Sequence, residues 1–165
     1  MYPKGDLRKK DDRQLIILIS KTNSGHIMKR MHSHAHYEII NVQSSDSNNQ
    51  IFETDSNQYN FSNNTFMLIP PNTKHKLIRE RQNSTRLLIN FTDTLASSIF
   101  DFLDININKF FENNIIEFTA EQTQALYHIA SEATNPTYTS ASEEIMLRKG
   151  KTILARFIEN MYFFK

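Results

Sequence analysis

The sequence predicts a mainly β fold with α: a β-sandwich or barrel followed by a C-terminal helical segment. Two observations carry this. Up to about Phe91, short apolar, β-branched runs alternate with polar turns at close, regular spacing. From Thr92 the apolar residues recur at helical spacing instead. A chain of 165 residues suits one domain, or a compact domain with an appendage, and can bury a substantial core without staples.

Each element has a local reason. "QLIILIS" (14–20) is a continuous apolar run that reads as a buried strand, and "KTNSG" (21–25) is a turn. "HYEIINVQS" (36–44) resumes the strand character, "SDSNNQ" (45–50) is turn chemistry, and "IFET" (51–54) follows. "DSN" (55–57) is a tight hairpin turn into "QYNF" (58–61), and "SNN" (62–64) turns the chain into "TFMLI" (65–69). That strand stops at Pro70 and Pro71, because proline cannot donate to a ladder. "HKLIRE" (75–80) and "RLLINF" (86–91) complete the series. Beyond it, Asp93 or Thr94 caps a helix over "LASSIFDFL" (95–103), and "DININ" (104–108) is a loop. Thr119 with Gln122 forms a capping-box pattern ahead of a helix over 122–133. After the loop "TNPTYTSA" (134–141), a last helix spans about 142–162. Its apolar positions are Ile145, Ile153, Leu154, Phe157, Ile158 and Met161. Gly150 inside it costs roughly 1 kcal/mol relative to alanine. There are only three glycines, so Asn and Asp are expected to take the left-handed turn positions.

Charge and composition narrow the function classes. The net charge is +1, from 19 basic and 18 acidic residues, which disfavours nucleic-acid binding by the surface of this segment. There is no cysteine, so disulfides and thiolate metal sites are excluded. The opening "MYPKGDLRKKDDRQ" is too polar for a signal peptide, and no apolar run approaches the length of a membrane span. A soluble, cytoplasmic protein with no membrane partner is expected.

The segment "MHSHAHYEII" (31–40) stands apart, with His32, His34, His36 and Glu38 within seven residues. In an extended chain these share one face with Ile40 and Val42, while Ser33, Ala35, Tyr37 and Ile39 share the other. Ile40 and Val42 mark the even face as interior, which points the histidines and Glu38 into the barrel near its mouth. Imidazoles and a carboxylate are ligands for zinc, iron, manganese or nickel, and His75 is the candidate fourth ligand from another strand.

"HSHAHYE" (32–38) resembles the first motif of the cupin superfamily, and "NTFMLIPPNTKH" (64–75) resembles the second. More narrowly, "HSH" followed by "YE", a polar hairpin and then "FMLIPPNTKH" resemble the effector-binding domain of AraC-type bacterial transcription regulators. The resemblance is strongest from His32 to Leu77 and architectural beyond Phe91. Asn64 and Thr65 stand where the family usually has Gly-Asp, and "QSSDS" (43–47) stands where it usually has a glycine. Asparagine tolerates the positive φ those turns would need.

The resemblance implies a cupin-type double-stranded β-barrel over residues 1–92, with 1–14 as a flexible arm. Residues 93–165 would then be a helical segment for docking and dimerisation. A DNA-binding helix-turn-helix domain would lie beyond residue 165. The implied function is effector sensing and dimerisation in a homodimer, with no catalytic residue, and DNA bound only through the missing domain. AraC-type regulators commonly keep the histidine/glutamate pattern without being known for a bound metal, so neither metal nor cofactor is expected. The alternative is a small metal-dependent cupin enzyme, of dioxygenase or isomerase type, using His32, His34, Glu38 and His75.

For those four residues three readings stay open: metal ligands, the mouth of an effector pocket, or a hydrogen-bonded cluster that fixes how strands meet. A buried Glu38 needs a partner, and a histidine is the expected donor. Ile17 or Leu18, Ile40, Val42, Met67, Ile69, Leu77 and Leu88 are expected to line the interior, with Ile40, Met67 and Leu77 as pocket lining. An apolar ligand with a polar head near His32, His34 and His75 would suit such a space. His26 and His128 read as surface histidines, and "LRKK" (7–10), "RKGK" (148–151), Asp11, Asp12, Glu143 and Glu144 read as solvated charges. Tyr2 is the arm residue suited to covering a pocket. The last helix either docks its apolar face on the barrel or pairs with a second copy.

Overall fold

The structure is a computed structural model that describes residues 13–23, 28, 30–45, 50–79, 83–135 and 141–165. Among the described residues there are eight strands: β1 (Leu15–Thr22), β2 (His36–Ser44), β3 (Gln50–Thr54), β4 (Gln58–Phe61), β5 (Thr65–Ile69), β6 (His75–Arg79), β7 (Ser84–Thr92) and β8 (Ile115–Glu117). The helices are α1 (Asp93–Phe102), α2 (Ile107–Phe110), α3 (Ala120–Ser131) and α4 (Glu143–Phe164). Residues 1–12 of the expected arm, with Tyr2, Asp11 and Asp12, lie outside the described residues, as does His26.

The strands form two antiparallel sheets, one of five strands in the order β1-β7-β2-β5-β8 and one of three in the order β4-β3-β6. The sheets face each other without closing into a barrel, because no strand is shared between them. Side-chain packing joins them, together with main-chain hydrogen bonds between His32 and His75 at one end. Ile40, Val42, Phe52, Phe61, Met67, Ile69 and Leu77 form one buried cluster between the sheets, with Leu88, Tyr59 and Ile115 packed against it. The outer face of the five-stranded sheet carries a second and larger cluster, which includes Tyr37, Ile39, Phe66, Leu68, Leu87, Ile89 and Phe91. The helices cover that face through Leu126, Ile129, Leu154, Phe157, Ile158 and Met161, among others.

The helical half supplies β8, which pairs with β5 through Thr65–Glu117, Phe66–Ile116 and Met67–Ile115. Three residues between loops carry too little periodicity to read as a strand, so the sequence pattern misses it. Pairing with β5 creates it, as does Asn114, whose main chain accepts from Leu68 N–H at 2.8 Å. The stretch read as the loop 104–108 contains the start of α2, a single turn whose Lys109 N–H is capped by Asn106 at 2.9 Å.

Turns and caps follow local chemistry. Positive φ occurs at Asn72, Asn83 and Asp104 among the described non-glycine residues, and not at Asn64. The turn ahead of β5 therefore does without the left-handed residue that its motif suggested. Hydroxyls close it instead: Ser62 N–H donates to Thr65 Oγ1 at 3.0 Å and Asn64 N–H to Ser62 Oγ at 3.1 Å. Thr92, rather than Asp93 or Thr94, caps α1. The Thr119–Gln122 capping box ahead of α3 is complete.

The apolar face of α4 docks on its own sheet, with Gly150, Ile153, Leu154, Phe157, Ile158 and Met161 buried. The absence of a Cβ at the buried Gly150 suits that close approach. Ile145, Tyr162 and Phe163 remain exposed on the helix.

One polar network ties α3 to the sheet. Asn41 is fully buried on the helix side of β2, and its Nδ2 donates to Thr65 O at 2.8 Å and Asn63 O at 2.9 Å. The Tyr127 hydroxyl of α3 donates to Asn41 Oδ1 at 2.8 Å, and burial pushes its pKa well above the ordinary range. Tyr127→Phe leaves that buried oxygen without its donor and is expected to lower stability by about 1–3 kcal/mol. Urea unfolding checks this, with a lower midpoint and an unchanged slope.

Candidate functional site

Four chain segments meet at one end of the inter-sheet space. The segment 31–35 runs into β2, the turn 70–74 joins β5 to β6, His75 opens β6, and Asn90 lies near the end of β7. The backbone fixes their approach. His32 and His75 form an isolated antiparallel bridge, with N–H to carbonyl distances of 3.1 and 2.9 Å. Pro70 and Pro71 end β5, and Asn72, at φ 64°, turns the chain so that its N–H reaches the His34 carbonyl at 2.7 Å. This is where the asparagine of "PPNTKH" takes the left-handed position.

The structure brings His32, His34, Glu38 and His75 together. The ring of His75 lies 4.3 Å from that of His32 and 5.1 Å from that of His34, centroid to centroid. Glu38 faces them from β2, where register places it opposite Asn90 and Ile69. Its Oε2 lies 2.9 Å from His34 Nε2 and accepts from Asn90 Nδ2 at 3.3 Å, while its Oε1 lies 3.8 Å from His75 Nε2. A histidine partner for Glu38 was expected. Asn90 was not singled out, although it alternates with Leu88 onto the inner face in "RLLINF". His36 shares the parity of Glu38 but stands outside the group of three histidines whose ligand atoms lie within 4.8 Å of one another. The residues before it are not extended as one strand, so strand parity does not run back through His34 and His32.

The tautomers follow from the main chain. His34 Nδ1 lies 3.0 Å from the His36 carbonyl and His75 Nδ1 lies 2.8 Å from the Thr73 carbonyl. A carbonyl only accepts, so each Nδ1 carries the proton, and each neutral ring presents a lone pair at Nε2. Both Nε2 atoms are buried, and neither has a hydrogen bond of acceptable direction. Glu38 only accepts, so the 2.9 Å approach of His34 Nε2 is attractive when that nitrogen is also protonated, which makes His34 an imidazolium ion-paired with the carboxylate.

When both rings are neutral, their buried Nε2 lone pairs beside a carboxylate, each ring steadied by a carbonyl on its other nitrogen, fit a divalent transition metal. His34, His75, Glu38 and His32 would hold it. The same carboxylate is also partnered without a metal, by His34 and Asn90.

The expected lining residues fall into two groups. Ile40, Met67 and Leu77 lie in the inter-sheet cluster with Val42 and Ile69, directly behind Glu38 and His75, and Leu88 packs on it. Ile17 instead packs on the helix side. Leu18 lies opposite Leu88 in register but is 36% exposed, so neither residue of that pair is buried lining. His128 is exposed on α3, and Arg148, Lys149, Lys151, Glu143 and Glu144 are exposed on α4. A polar groove of about 480 Å³ lies at the far end of β2, against α3, lined by Gln43, Ser44, Asn63, Thr85 and Gln124 among others.

The histidines titrate in opposite directions. Burial pushes His32 and His75 below the ordinary 6.5, with the other histidines adding to this and Glu38 opposing it. Burial also weighs on His34, but the contact with Glu38 and its charge overcome it, and the net shift is upward from 6.5. The stability His34 contributes is therefore present below pH 6.5 and lost as pH rises through its folded value. His32 and His75 act in reverse, costing stability as pH falls below 6.5. NMR titration of the chelator-treated protein should find His34 above 6.5 and His32 and His75 below it. Glu38→Gln should lower the His34 value, since burial stays while the contact with Glu38 and its charge, the largest causes raising it, are lost.

No family model matches the chain, and no curated protein matches it. Solved structures do. An apo variant of ToxT from Vibrio cholerae strain SCE256 superposes with a TM-score of 0.54 at 9% identity, over 88% of this chain and 55% of that one. Wild-type ToxT from the same strain, bound to an unsaturated fatty acid, superposes with a TM-score of 0.52 at 9% identity, over 90% of this chain and 52% of that one. KdgF from Halomonas sp. aligns at 16% identity with a TM-score of 0.38, over 47% of this chain and 69% of that one. The chain spans about half the length of the ToxT structures it matches. Over most of its length this chain therefore shares its fold with about half of the ToxT chain.

Proposed function

We propose that the chain is the effector-sensing and dimerisation domain of an AraC-type transcription regulator. It binds an apolar small molecule between its two sheets and controls a helix-turn-helix DNA-binding domain that follows residue 165. The observation that carries this reading is the fold shared with fatty-acid-bound ToxT over 90% of this chain. The interior agrees with it: the cluster between the sheets is apolar, and polar side chains stand at its ends. His32, His34, Glu38 and His75 form the mouth of the effector site, and Ile40, Met67 and Leu77 line it. The protein works in the cytoplasm, and no described helix is long and apolar enough to cross a membrane.

Pairing of two copies is assigned to α4. Its apolar stripe is taken up by docking, so contact rests on the exposed Ile145, Tyr162 and Phe163. Phe163→Ser should weaken dimerisation in sedimentation equilibrium without lowering thermal stability, since the side chain is 76% exposed.

A second reading, a metal-dependent cupin enzyme of dioxygenase or isomerase type, is favoured by the buried, unpaired Nε2 atoms of His34 and His75. Elemental analysis after mild purification separates the two. The sensor reading expects no stoichiometric transition metal, and the enzyme reading expects about one ion per chain. Thermal shift tests the ligand. Long-chain fatty acids at a hundredfold excess over Kd should raise Tm by on the order of 5–10 °C, and sugars should not. Stabilisation by sugars alone would reverse the assignment of an apolar effector.

A further inference from the structure

Gln50 opens β3 and is fully buried, at 0% exposure. It lies opposite Phe61 on β4 and two residues before Phe52, and both phenylalanines belong to the inter-sheet cluster. Strand alternation therefore turns Gln50 into the space between the sheets. There, neither its Oε1 nor its Nε2 has a hydrogen-bond partner. A buried amide with both its donor and its acceptor unmade is costly, and an apolar residue of similar shape would fill the place without that cost.

Gln50 lies at the opposite end of this space from the histidines. On the inner face, register pairs Glu38 with Asn90, Ile40 with Leu88 and Val42 with Arg86. The first pair marks the histidine end. The last marks the end to which β2 runs before the chain returns to Gln50.

We propose that Gln50 sets the head-group specificity of the effector site. Its carboxamide takes an uncharged ligand head that both donates and accepts, such as a primary amide, in a paired contact. The ligand's apolar body lies against Val42, Phe52, Phe61 and Leu88. This rests on the effector-binding reading and adds the chemistry of the ligand. A carboxylate would satisfy Nε2 but set its own oxygens against Oε1, and an ester would leave Oε1 without a donor. Arg86 shares this end but is already engaged in an interaction of its own. Among the described residues no strand of one sheet pairs with a strand of the other, and the main-chain bridge of His32 with His75 lies at the far end, so a ligand reaching Gln50 parts side chains.

The test is calorimetric titration of the full chain with decanamide, decanoate and methyl decanoate. It is run on the wild type, on Gln50→Leu, and on Gln50→Met as a second apolar variant close in shape. Decanamide should bind the wild type about tenfold or more tightly than the other two, and both variants should lose that preference while keeping weak binding of the tail. Without ligand, both variants should melt at or above the wild-type temperature. A preference for decanoate, or a decanamide preference retained in the variants, overturns the role of Gln50 and leaves the effector reading standing. Lower melting of both ligand-free variants also overturns it, because the amide would then be satisfied already by bound water. Failure of all three compounds to bind the wild type overturns the proposal and the apolar-effector reading together.

Discussion

The fold depends on one strand being buried on both faces. From Tyr37 to Val42 every residue of β2 is buried, yet the sequence there is not uniformly apolar. Tyr37, Ile39 and Asn41 turn toward the helices, and Glu38, Ile40 and Val42 turn toward the second sheet. Both buried polar residues have partners only on their own side. Glu38 finds His34 and Asn90, while Asn41 finds Tyr127, Thr65 and Asn63. A slip of one residue would exchange the faces and strand both groups, which pins the register far more firmly than apolar packing would.

The histidine site inherits its order from that register and from the turn after β5. Glu38 is placed by β2, and His75 is placed by the strand that follows the turn. Asn72, held in the left-handed region, ties the turn to the His34 carbonyl, and the Thr73 carbonyl accepts from His75 Nδ1. The main chain thus sets the tautomers, and no outside group is needed to orient the rings. A cluster built this way can serve as a ligand-facing mouth or hold a cation with little rearrangement. The fold alone is therefore a poor guide to its chemistry.

Much of this was legible in the sequence, for identifiable reasons. The limits of β2, β4 and β5 follow from turn residues and from Pro70, and the parity of "HYEIINV" correctly sends Glu38, Ile40 and Val42 inward. The grouping of His32, His34 and Glu38 was argued from strand parity, with His75 as the fourth candidate, and motif likeness then supported it, although the segment before His36 is not one extended strand. What was hidden depends on contacts distant in the chain. β8 exists because β5 offers it an edge, and Asn90 matters because β7 lies beside β2. Ile17 shows the limit of composition: a continuous apolar run such as "LIILIS" does not reveal which residues face which side. Gln50 sat in a segment of turn chemistry, and only the pairing with Phe61 turns it inward.

The apolar cluster, with histidines at one end and Gln50 at the other, makes the inter-sheet space the place where a ligand would be read. The helices on the outer face of the same sheet would carry the response, through the contact of Tyr127 with Asn41 on β2. Methyl-resolved NMR during titration with an apolar ligand tests this most directly. Binding between the sheets should shift the methyls of Ile40, Val42, Met67, Leu77 and Leu88 first and most strongly. Shifts confined to helix-side methyls such as those of Ile89, Leu126 and Leu154, or no shift at all with any apolar ligand at saturation, would contradict it.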